Sequence, residues 1–135
     1  MSTGWQLLER DSGTVVVADL EVADTEWSRL WGLQFRAALP PSHGLLLVGC
    51  ASIHTCFVRF SLDIAMLDVG GKVLAIRHNV RPWRIVFAVR GTDSILEMSA
   101  GSIEIAVGSA LCLKRTVGDD EPMPAFAARW ENCSP

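Results

Sequence analysis

No apolar run in this chain approaches the ~20 residues that a membrane-spanning helix needs, so neither a crossing helix nor a membrane partner is expected. The first residues, MSTGWQLLERDSG, lack the basic segment followed by an apolar one that marks a secretory signal. A cytoplasmic location is the simplest reading. There is no CxxC pair. Cys50, Cys56, Cys112 and Cys133 fall at irregular spacing, whereas a zinc site wants close paired ligands. No metal and no cofactor is expected, and the thiols read as free, small core hydrophobes. No GxGxxG or GxxxxGK pattern occurs. Gly101 and Gly108 therefore read as turn residues rather than a phosphate cradle. No internal repeat is present.

What is there suits one folded unit. The chain has 135 residues, half of them hydrophobic and a fifth charged. A domain of this size buries roughly two-thirds of its unfolded surface, and such a composition opposes disorder. Residues 1–116 read as a single domain. Residues 117–135, with GDDEPMP near their start, read as an acidic, proline-containing tail.

The net charge of −3 hides an asymmetry. Trp27 to Thr92 holds eight basic residues against two acids, and the remainder holds four against thirteen. Between Lys72 and Arg90 there is no acid, while Arg77, Arg81, Arg84 and Arg90 fall there with His78 and Trp83. A local positive field attracts anions. The plainer alternative is a solvated face balanced by the acidic ends. Nucleic acid is not expected as a partner, because the chain as a whole is acidic.

The local patterns are those of strands. The β-branched run at Thr14–Leu20 predicts one. Asp24-Thr25 offers a helix N-cap, and Trp27, Leu30 and Trp31 follow at helical spacing, so a short helix is expected before Pro40-Pro41 ends it. Gly44–Val48 and Ile53–Val58 read as buried strands. Leu62–Val69 and Lys72–His78 read as a hairpin closed by a tight Gly70-Gly71 turn. Arg84–Val89 is a strand or an ordered loop, Ser94–Met98 and Ala110–Lys114 are strands, and Ala100–Ile105 suits one helical turn. Many short strands and little helix predict a mainly β fold, a small antiparallel barrel or sandwich with one short N-terminal helix.

The segment Ile53–Gly71, IHTCFVRFSLDIAMLDVGG, sets His54, Thr55, Cys56, Arg59, Ser61 and Asp63 among apolar residues. Burying an uncompensated charge costs several kcal/mol. Arg59 and Asp63 must therefore neutralise each other, find backbone partners, or serve a site. On one continuous strand they would share a face with Thr55, Phe57 and Ser61; a bend near Phe60-Ser61 would break that register. Thr55, Arg59 and Asp63 are candidate ligand-binding residues, rimmed by Arg81, Trp83 and Arg84. No catalytic residue is assigned. His54 is the best general-base candidate by residue type, but Cys56, two residues on, would sit roughly 6–7 Å away along a strand. That is too far for a nucleophile–base hydrogen bond. Glu97, inside an apolar strand, suits a buried pair with an arginine such as Arg36.

The order of several fragments resembles the "domain of unknown function 192" (DUF192) family of small bacterial and archaeal proteins. Arg29-x-x-Gly32-Leu33-x-x-Arg36-x-x-Leu39 is similar to its opening helix, and Gly44-Leu45-Leu46 to its Gly-Met-Leu step. Phe57-x-Arg59-Phe60-x-Leu62-Asp63, with Asp68, is similar to its central signature. Arg81-Pro82-Trp83 resembles a loop of one subgroup, and Leu96-Glu97-x-x-Ala100-Gly101 with Gly108 its closing segment. Gln34, Ser61, Ser99 and Ser109 depart from the family's usual residues. The resemblance implies a mainly β fold with a short helix, and no established activity. Three function classes follow. The leading one is a non-catalytic module binding a small polar or anionic ligand or a partner peptide. The others are a small hydrolase using a carboxylate or histidine, and a structural adaptor.

Overall fold

Stretches such as 44–48, and 62–67 with Asp63 as its one charged residue, offer no polar face to turn to water, so they need cover on both faces. In the computed structural model, which describes residues 4–23, 38–49, 52–55 and 58–116, they receive it. The described residues form ten strands: β1 Trp5–Glu9, β2 Val15–Val17, β3 Asp19–Ala23, β4 His43–Val48, β5 Ser52–His54, β6 Leu62–Leu67, β7 Val73–Val80, β8 Ile85–Phe87, β9 Ser94–Ser99 and β10 Leu111–Arg115. They assemble into a five-stranded sheet of order β3-β4-β9-β6-β7, a three-stranded sheet β10-β1-β2 and a ribbon β5-β8.

The period-2 rule assigns the faces. Leu46, Val48, Ala65, Leu67, Leu96 and Met98 leave one face of the large sheet and meet Leu7, Val17, Leu111 and Leu113 of the three-stranded sheet. Leu45, Leu47, Leu62, Ile64 and Ile95 leave the other face and meet Leu39, Ile53 and Val58, with Val86 of the ribbon packed alongside. Full burial of each leucine, isoleucine, valine or methionine side chain among these contributes about 1.5–3 kcal/mol. Gly44 permits a close approach in this stack: a Cβ there would lie 3.1 Å from Val17 and 3.2 Å from Leu96.

Several expectations are corrected. Among the described residues the sheets stay separate and are not closed into a barrel. β3 and β4 run parallel, although the remaining pairs are antiparallel. Thr14–Leu20 divides at Ala18 into two strands belonging to different sheets, and β1 was not foreseen. No helix occurs among the described residues, and Ala100–Ile105 is irregular. The predicted N-terminal helix at 24–37 and the tail 117–135 lie outside them. The Gly70-Gly71 turn is wider than a two-residue primed turn. Only Gly71 has positive φ, and Asp68 Oδ1 accepts the amides of Gly70 and Lys72, both at 2.9 Å. Cys112 is disulfide-bonded rather than free. Disulfides persist mainly in oxidising surroundings, so thiol chemistry no longer supports a cytoplasmic location. No helix of the described residues is long and apolar enough to cross a membrane.

Candidate functional site

Asp63 sits in β6 and is 1% exposed. Opposite it, β7 carries one extra residue between the pairs Leu62–Val80 and Ile64–Arg77. A bulge leaves part of the ladder unpaired and re-aims the side chains around it. Asp63 satisfies what this bulge frees. Its Oδ1 accepts the amide of Asn79, 3.0 Å away, and Asn79 takes the left-handed conformation with φ 53°. Oδ2 accepts the amides of Gly101 at 3.0 Å and Ile103 at 3.2 Å, and His78 Nδ1 lies 3.3 Å from it. The positive φ of Gly101 turns the chain after β9 beneath the carboxylate. Burial pushes the Asp63 carboxyl up, but the amides of Asn79 and Ile103 and the adjacent His78 imidazole outweigh that and hold it below its ordinary value. Asp63 thus ties β6, the β7 bulge and the segment after β9 together.

Arg59 does not join it. The chain bends at Phe60, Arg59 is exposed, and no ion pair links Arg59 with Asp63 among the described residues. Placing 55–63 on one strand therefore does not hold: β5 ends at His54 and β6 begins at Leu62.

Thr55 is fully buried and works on a second segment. Its hydroxyl donates to the Arg81 carbonyl at 2.7 Å and accepts the Arg84 amide at 2.8 Å. Its own amide donates to the Arg84 carbonyl, and its carbonyl accepts the Trp83 amide. The turn Arg81–Arg84 is thereby pinned to the end of β5. Trp83 takes φ 65° and is 60% exposed.

These two anchors shape a shallow, open groove of about 720 Å³ between β7 and β8. Arg77, His78, Arg81 and Arg84 line it, with Ile85 and Phe87 on the β8 side. The three guanidiniums are exposed, and none forms an ion pair among the described residues. Of the residues predicted as a site, Arg81 and Arg84 line the groove. Trp83 stands on the turn between them, Thr55 and Asp63 support the walls from beneath, and Arg59 is not among the lining residues. Arg77, His78, Ile85 and Phe87 were not predicted as site residues. Their signal was the acid-free stretch from Lys72 to Arg90. Glu97 is buried between Leu45 and Ile64, while its expected partner Arg36 lies outside the described residues, as does Cys56. No group of three or more metal-ligating side chains occurs among the described residues.

Residues 7–112 match the model of a family, DUF192, described as "Uncharacterized ACR". Among curated proteins nothing matches. Two solved structures share the fold. One is a protein of unknown function from Novosphingobium aromaticivorans DSM 12444, 22% identical, with TM-score 0.70 over 78% of this chain and 82% of that one. The other, from Sinorhizobium meliloti 1021, is provisionally described as a transcription regulator. It is 23% identical, with TM-score 0.69 over 82% of this chain and 95% of that one. At these identities the likeness concerns the fold.

Proposed function

This chain belongs to the DUF192 family, and from that premise we propose that it is a non-catalytic binding module whose β7–β8 groove takes a small anionic ligand. One observation carries the reading: Arg77, Arg81 and Arg84 meet in a single groove with no carboxylate paired to them among the described residues. A guanidinium presents a planar fork of donors that matches carboxylate and phosphate oxygens. Solvated charges scattered over a surface would not need to converge. Trp83 rims the site, and Thr55 and Asp63 hold its walls. The transcription-regulator description of the Sinorhizobium protein raises nucleic acid as a ligand, but a chain of net charge −3 is a poor polyanion binder outside this patch. Calorimetric titration with phosphate, citrate and a short DNA duplex tests the reading. Saturable binding of a small anion, lost in Arg84→Glu, is expected. No heat of binding in wild type, or equal binding in the variant, counts against it.

A hydrolase is the second reading, and a specific contact favours it. His78 lines the groove with Nδ1 3.3 Å from Asp63 Oδ2, which leaves Nε2 as the nitrogen able to take a proton from water. Against it, Asp63 is already engaged by three backbone amides, and no serine or cysteine lines the groove among the described residues. Assays with p-nitrophenyl phosphate and p-nitrophenyl acetate separate the two. Turnover that disappears in His78→Gln supports catalysis; no turnover in wild type leaves the binding reading.

A further inference from the structure

The groove also carries open strand edges. β8 ends the ribbon β5-β8, and β7 ends the five-stranded sheet, so each has one edge without a strand beside it among the described residues. Both strands line the groove. Hydrogen bonding in an antiparallel pair alternates along the strand. The Thr55 amide donates to the Arg84 carbonyl, which points Arg84, and by alternation Val86, toward β5. The amides and carbonyls of Ile85 and Phe87 then point the other way, to the open edge.

The side chains of β8 repeat the message. Val86 packs against the core cluster, whereas Ile85 is 67% and Phe87 75% exposed. Edge strands normally guard themselves with charged or proline residues at such positions. Here the exposed positions of β8 are apolar, and the charges stand around them, on Arg77, Arg81 and Arg84. A two-stranded ribbon of three-residue strands is also short of the pairing that gives independent stability.

Resting on the anion-binding reading above, we propose that the groove's partner is an acidic, extended peptide segment of another protein, added as a third strand along the open edge of β8. Its backbone bonds to Ile85 and Phe87, its carboxylates face Arg77, Arg81 and Arg84, and its apolar side chains cover Ile85 and Phe87. Charge complementarity selects the segment. No acid lies between Lys72 and Arg90 to compete for it. Strand addition supplies affinity through main-chain bonds and specificity through alternate side chains.

The probe is a fluorescein-labelled octapeptide of alternating glutamate and valine, followed by anisotropy against the whole chain. Two further peptides carry N-methyl groups on every second amide, one in each register. Only one edge of an added strand pairs with β8, so one register is expected to lose binding and the other to keep it. Arg84→Glu is expected to weaken the parent peptide by about tenfold or more, and rising salt to weaken it progressively. Equal binding of both methylated peptides overturns strand addition while leaving the anionic groove intact. Failure of the parent peptide, with phosphate or citrate still binding, overturns this inference alone. Failure of all of them removes the reading beneath it too. Co-sedimentation with phosphatidylserine vesicles, lost in Phe87→Ser while the peptide does not bind, assigns the surface to anionic lipid and overturns the peptide.

Discussion

The buried polar framework and the exposed groove treat charge in opposite ways. Asp63 is out of water, and its two oxygens together accept three backbone amides. Arg77, Arg81 and Arg84 are in water, with no ion-pair partner among the described residues. A buried carboxylate must be satisfied or it destabilises the fold by several kcal/mol. An exposed guanidinium carries no such demand and can wait for a ligand. The charge most needed for stability is thus the one least accessible to a partner. The groove is held in shape by residues that do not face it.

The strongest way to break this division is to remove the buried acceptor. Asp63→Asn replaces one carboxylate oxygen by an NH₂ group that confronts backbone N–H donors. Denaturant unfolding is expected to report a loss of about 3 kcal/mol, and a variant within 0.5 kcal/mol of wild type would show that Asp63 is not the tie described. Next is Thr55→Val, which keeps the shape but orphans the Arg84 amide and the Arg81 carbonyl. A cost of about 2 kcal/mol is expected, with weaker anion binding because the turn 81–84 is no longer pinned. Binding that is unchanged while stability falls would separate the pin from the groove.

Acid sharpens the same contrast. The folded-state pKa of Asp63 is depressed, so the unfolded chain binds its proton more readily. Its contribution is complete above the unfolded value of about 3.9 and is lost as pH falls through the lower folded value. Wild type should lose stability across that interval, and Asp63→Asn should lose less. Parallel pH profiles would deny the carboxylate this role. The smallest effects belong to the exposed cations. Arg59→Met should change stability by less than about 0.5 kcal/mol and add to Asp63→Asn without coupling. A coupling above 1 kcal/mol in the double-mutant cycle would reveal an Arg59–Asp63 pair after all. Arg84→Glu should leave the unfolding midpoint near wild type while abolishing anion binding.

Much of the fold was legible. Gly44–Val48, Leu62–Val69 and Ser94–Met98 read as strands because their apolar character is dense and local, and they form the centre of the large sheet. β1 was not legible: Trp5–Glu9 buries only Leu7 fully and becomes a strand by pairing with β10, more than a hundred residues away. The parallel partnership of β3 and β4 was hidden for the same reason. Within the site, the cationic stretch from Lys72 to Arg90 was visible as a run without acids. What Asp63 does was not. Its partners lie 16, 38 and 40 residues along the chain, and no local pattern relates them.

By itself, the sequence determined that the chain folds around short apolar strands, that it carries a basic middle between acidic ends, and that it has the residue order of its family. These follow from composition and near-neighbour spacing, which act before any long-range contact forms. Only the tertiary structure decided which charges are buried and which are exposed. Hydrogen bonding of Asp63 to Gly101 and Ile103, and of Thr55 to Arg81 and Arg84, depends on bringing distant backbone groups within about 3 Å. Packing of the sheets, rather than any local preference, does that.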